Sequence, residues 1–213
     1  MIPDPSARYL TSRHGEATGF VVGLDLGQVR DHSAVVINEK RMLGWRDEPT
    51  HVIRFVHRFR LGVKYHDVAR EVADLIAQLP RLPDPPMLYA DSTGVGRPVC
   101  DLLREEGLTP FDVTLTAGAN WSISGRSISL PKSLLASTLN VAFQNGTLRI
   151  AAGLPFRAQL ERELGAFRVT TSAAGNDSFN SRTEADHDDL VIAMGLAVWG
   201  ASRNIRPRRT VLL

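Results

Sequence analysis

One stretch near the end of the chain restricts the fold more than any other. Leu190-Val191-Ile192-Ala193-Met194-Gly195-Leu196-Ala197-Val198-Trp199 is apolar on every face of a helix. A helix without a polar face has to be enclosed by protein on all sides. Ala193, Ala197 and Gly200 lie at i+4, i+8 and i+11 from Asp189, a smooth stripe that lets the helix press closely against a sheet. The helix is introduced by Asp186-His187-Asp188-Asp189, so burying it draws carboxylates inward with it. Part of this acidity serves N-terminal capping and the helix dipole. Glu184, Asp186, Asp188 and Asp189 together exceed what capping requires, which points to a bound cation.

A second constraint lies in Gly19-Phe20-Val21-Val22-Gly23-Leu24-Asp25-Leu26-Gly27. The run reads as a buried central strand, where a lone charge is expensive. Gly23 and Gly27 keep the surroundings of Asp25 small, so a ligand or metal can approach the backbone. Met87-Leu88-Tyr89-Ala90-Asp91 repeats the design, a short apolar strand ending in aspartate. Each aspartate alone could simply cap the turn or helix that follows it. In parallel α/β sheets, however, sites gather at the carboxyl ends of adjacent strands, where Asp25 and Asp91 would meet.

The rest of the pattern predicts an α/β chain. Strands are expected near 19–26, 32–38 and 51–59, and the short connections make the three antiparallel. A helix follows over 65–79, with Val68, Val72, Leu75, Ile76 and Leu79 on one face, stopped by Pro80. The strand at 87–91, a helix at 97–106 and a strand at 111–116 come next. Gly and Ser richness makes 117–130 a mobile loop carrying an exposed Trp121. Pro131 opens a helix to Asn145, capped by Gly146. Leu148-Arg149-Ile150 reads as an edge strand and 156–167 as a helix. Arg168–Thr171 and Ser178–Thr183, flanking Ala174-Gly175-Asn176, suggest a β-hairpin before the last helix at about 186–201. The expected architecture is a mixed five-stranded sheet flanked by helices, plus that hairpin. Residues 1–18 read as an irregular lead-in, 19–203 as one domain and 204–213 as a basic tail.

Composition excludes several classes. No apolar run approaches the ~20 residues of a membrane span. The proline-containing, charged N-terminus has no signal core. Cys100 is the single cysteine, which rules out an internal disulfide and a Cys-rich zinc site. A cytoplasmic setting is expected, that of the host if the chain is viral. His187 has no spaced partner for zinc. No Gly-Lys-Ser/Thr phosphate loop and no Gly-x-Ser-x-Gly elbow occurs. Oxygen donors without cysteine suit magnesium or manganese, and two such ions can activate water and stabilise a leaving oxygen of a phosphodiester. Net charge is only +2, with a pI near 9.0. The cations are clustered, at Arg54, Arg58, Arg60 and Lys64 and again at Arg203, Arg206, Arg208 and Arg209, as solvated surface or as a nucleic-acid contact.

Strand order, the acidic positions and the ending His187-Asp188-Asp189-Leu190-Val191-x-Ala193 resemble the nuclease domain of tailed-bacteriophage terminase large subunits. That family has the ribonuclease H-like, retroviral-integrase-like fold. Pro131-Lys132-Ser133-Leu134-Leu135 and the spacing Gly146-x-Leu148-x-Ile150 to Leu160-x-x-Glu163-Leu164-x-x-Phe167 are similar to the middle of those domains. The resemblance implies a metal-dependent DNA endonuclease that cuts concatemeric viral DNA during packaging, by a two-metal-ion mechanism with Mg2+ or Mn2+. It implies metal ligands at Asp25, Asp91 and Asp188 or Asp189, with Asp186 as a further ligand. Double-stranded DNA would be the substrate, and an ATPase motor, a small terminase subunit and a portal protein the partners. No motor motif occurs here, so an isolated domain, a fragment or a free-standing relative is expected. The Pro131-Lys132 match places Lys132 and Arg126 on phosphates at the cleft, with Arg54 and Arg58 extending the track. Three alternatives stay open: a Holliday-junction resolvase, a nucleotide-binding half of the actin or sugar-kinase type, and a non-catalytic DNA-binding or assembly module.

Overall fold

Strand β1 (Glu16–Asp25) is the axis on which a single sheet is built. In the computed structural model the described residues are 15–27, 31–43, 48–94, 97–173, 188–203 and 205. On one side β1 pairs antiparallel with β2 (Ala34–Met42), which pairs antiparallel with β3 (Thr50–Arg58), as short connections dictate. Helix α1 (Tyr65–Ala77) then crosses over, and β4 (Met87–Asp91) joins β1 on its other side in parallel. Helix α2 (Arg97–Glu105) leads to β5 (Phe111–Thr116), parallel to β4.

Among the described residues the sheet has eight strands rather than five. The segment expected to be a mobile loop forms β6 (Ser122–Ser124) and β7 (Ser127–Pro131), an antiparallel hairpin whose second strand adds in parallel to β5. Alternation decides this: Ile128 and Leu130 point into the core while Ser127 and Ser129 do not, a period-2 pattern outweighed by the Gly/Ser composition. Trp121 is half-buried, its ring edge-on to Trp199 at 5.4 Å, and not exposed as expected. Helix α3 (Lys132–Gln144) starts directly from β7, and β8 (Leu148–Ile150) closes the far edge beside β3. The full order is β6-β7-β5-β4-β1-β2-β3-β8.

The hairpin expected before the last helix needs a second correction. Arg168–Thr171 belongs to helix α4 (Arg157–Ala173), and Ser178–Thr183 lies outside the described residues. Leu160, Glu163 and Phe167 are all buried on one face of α4, and that anchorage carries the helix onward through the β-branched Val169-Thr170-Thr171. Their propensity deficit is below about 0.7 kcal/mol each, too small to stop it.

Helix α5 (Asp189–Arg203) packs with α3 and α4 on one face of the sheet, and α1 and α2 cover the other. Every residue of α5 from Asp189 to Ala201 is buried. Its small stripe meets Gly23 of β1: a Cβ there would stand 1.9 Å from the Ala193 carbonyl oxygen and 2.9 Å from the Ala197 nitrogen. Gly200 lies likewise against the Tyr89 ring. Among the described residues, no helix is long and apolar enough to cross a membrane.

Candidate active site

Strands β1, β4, β5 and β7 are mutually parallel, so their carboxyl ends open on one rim of the sheet. Asp25 ends β1 and Asp91 ends β4, and the register pairs them directly. Lys132 sits at the end of β7, as the first residue of α3. Close packing of α5 across β1 brings Asp188 and Asp189 to the same rim. Asp25, Asp91, Asp188, Asp189 and Lys132 all line a single cavity of about 490 Å3, with Leu115, Ala117 and Ile192 forming an apolar part of its wall.

The electrostatics follow from this crowding. Burial, then the carboxylates of Asp91, Asp189 and Asp188, hold the Asp25 pKa well above the usual carboxylate range, against the opposing pull of Lys132. Burial also raises Asp91, while hydrogen bonds from Thr93 hold it back; the Thr93 amide donates to Asp91 Oδ1 at 2.8 Å. The Thr93 hydroxyl in turn accepts the Leu115 amide at 2.7 Å, tying this turn to β5. Lys132 pairs with Asp188, and its ammonium lies 5.8 Å from the centre of the Phe167 ring.

The donors are hard carboxylate oxygens on two adjacent strand ends and one helix start, a set suited to magnesium or manganese and unsuited to soft metals. Among the described residues, no three acidic, His or Cys side chains close on one ion as they stand. They line the cavity together with Lys132, the one cation among its described residues. The donor chemistry therefore fits a divalent cation.

Not every residue singled out in the sequence lines this cavity. Asp186 lies outside the described residues. Arg126 is absent from the cavity wall: it precedes β7 while Lys132 follows it, which separates them by about 20 Å at the rise of a strand. Its guanidinium donates to the Thr109 carbonyl at 2.6 Å and lies over the Phe111 ring at 4.8 Å. Arg54 is held by Glu39, through Nε at 2.9 Å and Nη2 at 3.2 Å. Glu39 is fully buried and Arg41 Nε donates to the same Oε1 that Arg54 Nη2 reaches, so this cluster neutralises an interior charge within the sheet. Arg58, the last residue of β3, stands 3.8 Å from Glu163 and is outside the cavity wall. Arg126 lies at the opposite end of β7 and Arg54 is engaged by Glu39, while Arg58 ends β3, which is parallel to β1, at register with Asp25 through Ala34.

Two carboxylates near the cavity had no site role in the sequence reading. Asp31, in the loop after β1, lines the cavity. Glu163 on α4 is buried and accepts the Leu190 amide at 2.9 Å and the Val191 amide at 3.3 Å. Burial and the neighbouring Asp189 charge push its pKa up to about 7. Its i+3 and i+4 relation to Leu160 and Phe167 placed it on a buried face, the one local signal available.

No family model and no curated protein sequence matches the chain. Its structure does have counterparts, and they define the class: the chain adopts the ribonuclease H-like fold of large-terminase nuclease domains. The large terminase nuclease of the thermophilic phage G20c superposes with a TM-score of 0.50 at 18% identity, over 84% of this chain and 80% of that one. The human cytomegalovirus terminase nuclease domain, Mn-soaked and inhibitor-bound, superposes with a TM-score of 0.51 at 15% identity, over 86% and 82%.

Proposed function

We propose that this chain is a divalent-metal-dependent endonuclease that hydrolyses DNA phosphodiester bonds. The observation that carries the reading is the direct pairing of Asp25 with Asp91 at two parallel strand ends, with Asp188 and Asp189 delivered to the same cavity by a buried helix. Mutual repulsion among these groups is a cost to the fold that a bound cation would offset. The presence of a Mn-soaked nuclease domain among the structural counterparts supports the same choice of ion.

Asp25, Asp91, Asp188 and Asp189 would hold Mg2+ or Mn2+, two ions in the fullest form of the reading. When bound, such ions supply Lewis-acid activation of water and of the scissile phosphodiester. The protein's own part is positional. Thr93 orients Asp91, and Lys132 offers a cation at the cavity that can exchange Asp188 for a phosphate oxygen. The Leu115, Ala117 and Ile192 wall limits water on one side. Likeness to terminase nuclease domains supports the finer role, cutting concatemeric viral DNA during packaging, with a motor, a small subunit and a portal as partners.

Nicking of supercoiled plasmid in millimolar Mn2+ or Mg2+, compared with EDTA, tests the reading. Cleavage is expected from the wild type and not from Asp25→Asn. A wild-type protein that leaves plasmid intact at every metal concentration, or an Asp25→Asn variant that cuts at the wild-type rate, would overturn it.

A further inference from the structure

A helix start leaves amides without intrahelical partners, and the side chain just before the first helical residue usually accepts them, from the second or third position. In α5 that residue is Asp188, with Asp189 the first helical residue and Leu190 and Val191 next. Aspartate is among the best residues for the task. Yet the amides of Leu190 and Val191 go to Oε2 of Glu163, a residue of another helix, while the Asp188 carboxylate meets Lys132 at the cavity. Glu163 is itself braced: Gln159 Nε2 donates to its other oxygen at 3.2 Å, and Arg58 approaches that oxygen at 3.8 Å.

We infer that Glu163 is a positioning residue that caps α5 from α4 and thereby releases Asp188 to face the cavity. A carboxylate supplied from elsewhere satisfies the helix terminus, so both acidic residues at that terminus are available to the site. Without it, Asp188 holds the position from which a side chain ordinarily accepts the Leu190 and Val191 amides. Asp188 would then turn from Lys132 to its own helix. Groups that orient metal ligands from behind typically affect metal affinity by about 10- to 100-fold. This role rests on the nuclease reading only where metal is concerned; the competition for the amides does not depend on it.

Two variants separate the possibilities. Glu163→Gln keeps an oxygen acceptor and should keep Asp188 on Lys132, while Glu163→Leu removes the acceptor at similar size. The metal-free crystal structure of Glu163→Leu is the first readout. Asp188 moved onto the Leu190 and Val191 amides supports the inference; Asp188 still on Lys132 overturns it. Should Glu163→Leu not fold, Glu163→Gln is measured in its place, and Asp188 leaving Lys132 despite the retained acceptor overturns the inference. Mn2+ affinity by calorimetry is the second readout, with Val72→Ala, on the opposite face of the sheet, as a control for destabilisation alone. A loss of about 10-fold or more in Glu163→Leu, near-wild-type affinity in Glu163→Gln and no change in Val72→Ala are expected. Equal affinities in Glu163→Leu and wild type would overturn the positioning role. If the wild type binds no Mn2+, the proposed function fails instead, and the crystal structure alone decides the role of Glu163.

Discussion

Substituting Gly23 by alanine tests how the site is assembled without touching any carboxylate. The added Cβ would stand 1.9 Å from the Ala193 carbonyl oxygen, and both atoms belong to elements with little room to yield. Carbon and oxygen come no closer than about 3.3 Å in ordinary weak contacts, so α5 or β1 must give way by roughly 1.4 Å. Overpacking of this kind typically costs about 1–3 kcal/mol, and backbone against backbone belongs at the upper end. For a chain of this size that is a fall in melting temperature of roughly 6–12 °C. Asp189 lies one helical turn before Ala193, so the same displacement moves the acidic residues off the strand ends. A misplacement of about 1 Å can lower a rate by about 100-fold. Melting curves and Mn2+-dependent nicking, assayed well below the melting temperature, are the measurements. Gly165→Ala is the control: its Cβ meets nothing within 4 Å on an exposed helix position, and it should be neutral or stabilising by about 0.5–1 kcal/mol. A Gly23→Ala protein with wild-type stability and activity would refute the close-packing account.

Asp25→Asn should stabilise the metal-free protein by an amount that grows with pH. Because the folded-state pKa of Asp25 is raised, the wild type carries no penalty below about pH 4, where Asp25 is protonated folded or unfolded, and loses stability as pH climbs toward the raised value. His51 acts in the opposite sense, since burial lowers it to about 4 and stability is lost as pH falls from about 6.5, but it cancels when variant and wild type are subtracted. Urea melts in EDTA from pH 4 to 8 measure the difference, and a flat difference would remove the repulsion argument. Millimolar Mn2+ should raise the melting temperature of the wild type by mass action and leave Asp25→Asn nearly unmoved; equal shifts in both would place the ion elsewhere. Glu39→Ala should cost about 3–5 kcal/mol by denaturant unfolding, because it strands Arg41 and Arg54 in the interior; a loss under 1 kcal/mol would contradict the buried network. In an Asp25→Asn background with calcium, Lys132→Ala should lower the salt slope of DNA binding by nearly one unit, while Arg126→Ala leaves it unchanged; the reverse pattern would put the DNA path at the other end of β7.

Local chemistry was enough to mark the carboxylates on regular elements that share the cavity. An apolar run ending in Asp25, a second ending in Asp91 and a helix without a polar face opened by Asp188-Asp189 each state their burial in their own residues. The elements β4 and β5 begin and end where alternation and flanking turn residues place them. The Ala193-Ala197-Gly200 stripe likewise announces a close approach, because small side chains at helical spacing serve little else. What pairing alone could settle was different in kind. Ser127–Pro131 is a strand because β5 and β6 hold it on both sides, and Arg168–Thr171 is helical because α4 is already anchored through Leu160, Glu163 and Phe167. In sequence, Arg126 reads as a phosphate contact beside Lys132 and Arg54 as an extension of that track, because charge is visible there while direction is not. The fold turned one into the partner of buried Glu39 and carried the other to the opposite end of the sheet. Glu163 shows the limit most directly: its helical spacing predicts a buried position, but only packing of α4 against the start of α5 makes its carboxylate the cap for Leu190 and Val191. Periodicity records which face of an element leaves water; which partner waits on that face is decided by contacts distant in sequence.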